Sequence, residues 1–235
     1  MSDKKNRRYD TVIFDLDGTL LDTLADLTNS TNAVMKQYGM PVYTKEEIRS
    51  FVGNGIRRLM KSAVPQDTDE QTFEAVYQSF REYYALHCMD DTEPYPGILS
   101  LLDWLKQEGY QTAIVSNKAD FAVKKLNQLY FKEYITTAIG EREGVRRKPE
   151  PDSVFYAMQE LGVVEDPLQV SAEAKARTVY VGDSEVDLLT AKNAGLDCIA
   201  VCWGFRSREI LRQYGAKEDQ IATNVDELKQ LLKAE

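Results

Sequence analysis

Five short runs of β-branched and aromatic residues, separated by helical patterns, leave this chain few folds. The runs lie at 11–15 (TVIFD), 111–116 (QTAIVS), 134–140 (YITTAIG), 178–183 (TVYVGD) and 198–204 (CIAVCWG). Runs of this kind, apolar on successive residues, read as strands buried on both faces. Helical patterns occupy 98–109, 122–129, 152–162, 186–195 and 208–215, several of them closing on a glycine. The alternation is met most simply by a parallel sheet with helices on both faces, a three-layer Rossmann-like α/β fold.

One stretch breaks the alternation. From 22 to 93 only helix is expected: Leu24, Leu27, Thr28, Thr31, Val34, Met35 and Tyr38 recur at helical spacing and stop at Gly39 and Pro41. Thr44 and Glu47 spell a capping box ahead of Ile48, Phe51 and Val52, and Phe73, Val76, Tyr77, Phe80 and Tyr84 mark a further helix. The expected organisation is a discontinuous α/β core, 1–21 with 94–235, interrupted by an α-helical domain at 22–93. Pro94, Pro96 and Gly97 punctuate the return.

Composition removes several classes of function. With 29 Lys and Arg against 38 Asp and Glu, the net charge of −9 argues against nucleic-acid binding, which needs a basic footprint. The longest apolar run, 198–205, falls far short of the roughly 18 residues that span a bilayer, so no membrane partner is expected. The charged start, MSDKKNRRYD, has no apolar stretch behind it of the length an export signal needs. A cytoplasmic location follows as the expectation, with Cys88, Cys198 and Cys202 as free thiols. A single His, His87, and three scattered cysteines do not make a zinc site. Oligomeric state is not legible.

The chemistry concentrates at strand ends. Asp15-Leu16-Asp17-Gly18-Thr19-Leu20 directly follows the first strand, and in an open α/β sheet the carboxyl ends of the strands form the binding edge. Two carboxylates this close, with Gly18 allowing a tight turn, can bind a hard cation and divide the roles of nucleophile and acid/base. Ser116 and Asn117 stand at the end of the second run, Lys148 lies in a Pro-braced basic loop (RRKPEP), and Gly182-Asp183-Ser184-Glu185-Val186-Asp187 follows the fourth.

Over nearly the whole chain these segments resemble, in order, the motifs of the haloacid dehalogenase-like hydrolase superfamily. The resemblance implies that Asp15 is the nucleophile and Asp17 the general acid/base. It implies phosphate binding by Thr19, Ser116, Asn117 and Lys148, and Mg²⁺ held by Asp15, Asp183 and the backbone carbonyl of Asp17. Asp187 would orient bound water or Lys148. Asp17 argues against the dehalogenase and phosphonate-cleaving branches. Leu27 stands where a β-phosphoglucomutase-like protein usually has His, which weakens the mutase reading.

The helical insertion looks like the superfamily's cap. Its segment Gly53-Asn54-Gly55-Ile56-Arg57-Arg58 resembles the cap loop of phosphoglycolate phosphatase-like members, with Arg57 or Arg58 available to a second anionic group such as a carboxylate. Trp203-Gly204-Phe205 is expected to border the site. The expected activity is hydrolysis of a small phosphorylated metabolite, phosphoglycolate foremost. A phosphomutase, a pyrophosphatase or a broad sugar-phosphate or nucleotide phosphatase are the alternatives within the superfamily, and a non-catalytic binding module the alternative outside it.

Overall fold

A computed structural model describes residues 7–53 and 55–233. The chain divides into two compact units, Met1–Leu20 with Tyr95–Glu235, and Leu21–Pro94. In chain order the elements begin with β1 (Thr11–Phe14), β2 (Leu21–Asp22), α1 (Leu24–Gln37), α2 (Lys45–Phe51), α3 (Gly55–Ala63), α4 (Glu70–His87) and β3 (Glu93–Pro94). There follow α5 (Ile98–Gln107), β4 (Gln111–Ala119), α6 (Asp120–Tyr130), β5 (Thr137–Glu141), α7 (Asp152–Glu160) and α8 (Ala172–Ala176). The chain continues through β6 (Thr178–Gly182), α9 (Glu185–Ala194), β7 (Asp197–Val201), α10 (Arg208–Gln213), β8 (Ile221–Ala222) and α11 (Val225–Lys233).

The larger unit is a six-stranded parallel sheet in the order β5-β4-β1-β6-β7-β8, flanked by helices. Its central strands are apolar on both faces because helices cover both: Val12, Ile13 and Phe14 of β1 and Val179, Tyr180 and Val181 of β6 are fully buried. From β1 the chain moves outward to β4 and β5, then returns to β6 and moves outward the other way. The direction reverses between β1 and β6, which opens a crevice outside the carboxyl ends of these two strands. Helix α5 shows the local logic. Ile98, Leu101, Leu102 and Leu105 form one buried stripe, and the preceding Gly97 takes the left-handed φ of 85° that turns the chain into it.

The smaller unit is mostly helical, with Val34, Met35, Ile48, Phe73, Val76 and Phe80 buried. The capping box at the start of α2 forms: Glu47 N–H donates to Thr44 Oγ1 at 3.2 Å and Thr44 N–H donates to Glu47 Oε2 at 2.7 Å. Two differences from the sequence reading stand out. The stretch 22–93 is not free of strand, since β2 and β3 pair antiparallel, Leu21 with Pro94 and Asp22 with Glu93. A sixth core strand, β8, pairs with β7 through Ala200–Ile221 and Val201–Ala222. Both are two-residue segments whose partners are remote in sequence, and so carry no local periodicity.

Candidate active site

Asp15 leaves β1 in register, its N–H donating to the Val181 carbonyl of β6 at 2.9 Å. The chain then turns tightly, Leu20 N–H returning to the Leu16 carbonyl at 3.0 Å. Gly18 holds the turn at φ 87°, and a β-carbon there would overlap the Asp183 carboxylate. Gly204 meets the same carboxylate from the other side, where a β-carbon would also overlap the Gly18 carbonyl. The backbone thus packs directly against Asp183, which projects from the end of β6.

Lys148 is the hub of the buried charges. Its Nζ lies 2.8 Å from Asp15 Oδ1 and donates to Asp187 Oδ1 at 2.8 Å and to the Tyr180 hydroxyl at 3.1 Å. Tyr180 in turn donates to the Val115 carbonyl of β4 at 3.1 Å. Burial pulls Lys148 toward its neutral form, but the Asp15 and Asp187 carboxylates outweigh it and hold the pKa well above the ordinary value. Asp187 caps its own helix as well, accepting from Ser184 N–H at 3.0 Å and Ser184 Oγ at 2.7 Å. Both its oxygens are therefore engaged, and it orients Lys148.

Asp183 is different. It is fully buried, accepts from Thr19 Oγ1 at 3.1 Å and from Phe205 N–H at 2.7 Å, and has no ion-pair partner among the described residues. Burial, reinforced by Asp187 and Asp15, raises its pKa well above the carboxylate range. Burial likewise pushes Asp15 up to about 7, Lys148 opposing and Asp187 and Asp17 adding to the effect. Carboxylate oxygens of Asp15, Asp183 and Asp187 lie within 4.8 Å of one another. With Asp187 committed to Lys148 and Ser184, Asp15 and Asp183 are the pair left for a metal. Their donors are hard oxygens, and the carboxylate without a cation is the buried one, so the residues fit a divalent cation of the Mg²⁺ type.

On the other side of Asp15, Lys118 Nζ donates to Asp17 Oδ1 at 2.8 Å. Here the sequence reading needs correcting. Ser116 does not end its strand, because β4 runs on to Ala119 with its register to β5 shifted between Val115 and Ala119. Ser116 Oγ accepts from Lys118 N–H at 3.2 Å, which leaves its own proton to donate. Asn117 is not a free phosphate donor through its side chain. Its Nδ2 donates to the Lys148 carbonyl at 3.1 Å and so steadies the Lys148 loop, while Oδ1 is buried without a partner. Thr19 braces Asp183, and its carbonyl accepts from Trp203 Nε1 at 3.0 Å.

Within the helical unit, Gly53 precedes α3 and Gly55 opens it, and Asn54 lies outside the described residues. Arg57 lies on α3 and faces α4. Glu74 and Glu70 of α4 hold its guanidinium, which also lies over the Phe73 and Tyr77 rings. Arg58 is exposed. Sequence reasoning also gave no role to Lys118, Tyr180 or the Phe205 amide. Tyr180 carried a signal, a hydroxyl in the middle of a strand otherwise built to be buried.

Residues 12–201 match the family model for haloacid dehalogenase-like hydrolases. Phosphoglycolate phosphatase 1 of Pseudomonas aeruginosa is 34% identical over 202 residues, which span 83% of this chain and 70% of that protein. The phosphoglycolate phosphatase of Nitrosococcus oceani is 29% identical over 226 residues, 94% of this chain and 95% of its own. The crystal structure of a candidate phosphoglycolate phosphatase from Lactobacillus delbrueckii subsp. bulgaricus superimposes with a TM-score of 0.86 at 36% identity, covering 97% of this chain and all of that one. With the strand-end carboxylates and the switch point between β1 and β6 in place, the chain belongs to the haloacid dehalogenase-like hydrolase family.

Proposed function

We propose that the chain is a Mg²⁺-dependent phosphatase that hydrolyses a small phosphate monoester through an aspartyl-phosphate on Asp15, with phosphoglycolate the leading substrate. The observation that carries the reading is the cluster of Asp15, Asp183 and Asp187 at the carboxyl edge of β1 and β6, with Lys148 paired to Asp15 and Asp187 and no cation on Asp183 among the described residues. Four carboxylates, with Asp17, face two buried lysines there, so in the ionised state a divalent cation would balance the site.

A phosphate monoester is a dianion, and a carboxylate approaching it meets Coulomb repulsion of several kcal/mol at low effective dielectric. Mg²⁺ held by Asp15, Asp183 and the Asp17 backbone carbonyl would screen that repulsion and polarise a phosphoryl oxygen. Asp15 Oδ1 is held by Lys148, whereas Oδ2 has no hydrogen-bond partner among the described residues and is the oxygen positioned to attack. The Asp15 oxygen bonds to phosphorus as the ester P–O bond breaks in line, and Asp17 gives its proton to the departing alcohol. Asp17 then takes a proton from water as that water attacks phosphorus and releases Asp15 and inorganic phosphate. Lys148, the Ser116 hydroxyl and backbone amides near Asp17 and Asn117 would receive the phosphoryl oxygens.

The names of the relatives support phosphoglycolate, which adds a carboxylate to the phosphate. Arg57 and Arg58 of α3 are the guanidiniums that the sequence offers to such a group. Leu27, where a mutase of this superfamily usually carries His, is buried as a packing residue of α1. No described helix is long and apolar enough to cross a membrane. The test is phosphate release from phosphoglycolate and a panel of metabolite phosphates, with Mg²⁺ or with EDTA. Asp15→Asn is expected to abolish turnover. Residual turnover in that variant would remove Asp15 as nucleophile, and release independent of metal would remove the cation.

A further inference from the structure

Lys118 has no part in the mechanism above, yet its burial is costly. It is 6% exposed at the end of β4, and the Lys118 and Asp17 side chains are 4% and 17% exposed at their 2.8 Å contact. Taking an ammonium out of water costs several kcal/mol, and a buried pair offsets that cost only with good geometry. A backbone irregularity brings it there. Val115 pairs with Ile139 and Ala119 with Glu141, so four steps along β4 face two along β5. The surplus arches the Ser116–Asn117–Lys118 segment. Gly140 makes room for the arch, since a β-carbon there would lie 2.6 Å from the Lys118 carbonyl. The Lys118 N–H is tied back to Ser116 Oγ.

The contact is one-sided. Lys118 occupies Asp17 Oδ1, and Oδ2 has no hydrogen-bond partner among the described residues. An ammonium can donate to the carbonyl oxygen of a carboxyl group whether or not its other oxygen carries a proton. We propose that Lys118 is a positioning residue for proton transfer, anchoring Asp17 by Oδ1 so that Oδ2 faces the leaving alcohol and afterwards the attacking water. The inference rests on the acid/base reading of Asp17. Lys118 exchanges no proton and forms no bond to substrate; the proton moves between Asp17 Oδ2 and the alcohol or water.

Leaving-group dependence tests this on the Mg²⁺-loaded enzyme. The value of kcat/KM reports events up to departure of the alcohol, and p-nitrophenolate departs without a proton whereas the alkoxide of phosphoglycolate needs one. For Lys118→Met, kcat/KM on phosphoglycolate should fall about 100-fold, within the usual contribution of general acid catalysis, while that on p-nitrophenyl phosphate stays within about threefold. In an Asp17→Asn background the same change should cost less than about threefold on phosphoglycolate, because the two residues act as a unit. Equal losses on both substrates, or a rise confined to KM for phosphoglycolate, would overturn the proposal, the second by making Lys118 a substrate anchor. If Lys118→Met melts below the assay temperature, Lys118→Gln is read the same way, with a smaller selective loss expected. Should Asp17→Asn itself fail to discriminate between the leaving groups, the acid/base reading falls; if it discriminates and Lys118→Met does not, only the role of Lys118 falls.

Discussion

Replacing Asp183 by Asn should make the metal-free protein more stable while removing its response to Mg²⁺. The two hydrogen bonds of Asp183 survive the exchange. An amide oxygen can accept from Phe205 N–H as Oδ2 does at 2.7 Å, and the Thr19 hydroxyl can rotate to accept from the new amide N–H at the 3.1 Å contact. What changes is charge. The Asp15 and Asp187 oxygens lie within 4.8 Å, where each like charge costs about 3 kcal/mol at an effective dielectric of 20. Proton uptake and Lys148 relieve much of that, so a net gain of about 2 kcal/mol is expected, or about 4–8 °C in melting temperature for a chain of this size. In EDTA, Asp183→Asn should therefore melt above wild type. With Mg²⁺ at 100 times its dissociation constant, wild type should gain about 2.7 kcal/mol and the variant almost nothing. Differential scanning fluorimetry in EDTA and in MgCl₂ reads both. A variant that melts lower than wild type in EDTA, or shifts equally with Mg²⁺, would refute the account of Asp183 as a carboxylate held for a cation.

The same carboxylates set a pH dependence. Asp15 is pushed up to about 7 by burial, against 3.8 for the free group, so between these values the folded chain binds more protons than the unfolded one. Stability from this source is therefore lost as pH rises through that window, and without metal the melting temperature should fall from pH 5 to pH 8 by more in wild type than in Asp15→Asn. An equal slope in the two would remove Asp15 as its origin. Far from these charges in chemistry, Thr44→Ala deletes the capping box of α2 and should cost about 1 kcal/mol, lowering the melting temperature by about 2–4 °C. Turnover of p-nitrophenyl phosphate at 25 °C should be unchanged, and a tenfold loss would mean that the cap does more than start a helix.

What the sequence discloses and what it hides follow one division, between local and remote partners. β1 is legible because three successive apolar residues, Val12, Ile13 and Phe14, can only be buried, and Thr44 with Glu47 because a capping box is complete within one helical turn. Asp15 and Asp183 are legible as a pair because each follows a strand and parallel strands share one carboxyl edge. Arg57 and Arg58 are adjacent on α3, about 100° apart around the helix, so the sequence offers two guanidiniums and cannot say which one Glu74 of α4 will take. Ser116, Asn117 and Lys118 are the sharper case. Three polar residues after an apolar run read as the end of a strand, yet all three are buried and the strand continues, because their partners are the Lys148 carbonyl and Asp17, more than thirty and a hundred residues away. Strand propensity gives way there to side-chain electrostatics. A polar strand end facing an acidic motif across a parallel sheet is thus a place where hydropathy stops the strand too early, and where the residue beyond the expected end is the one aimed at the acid.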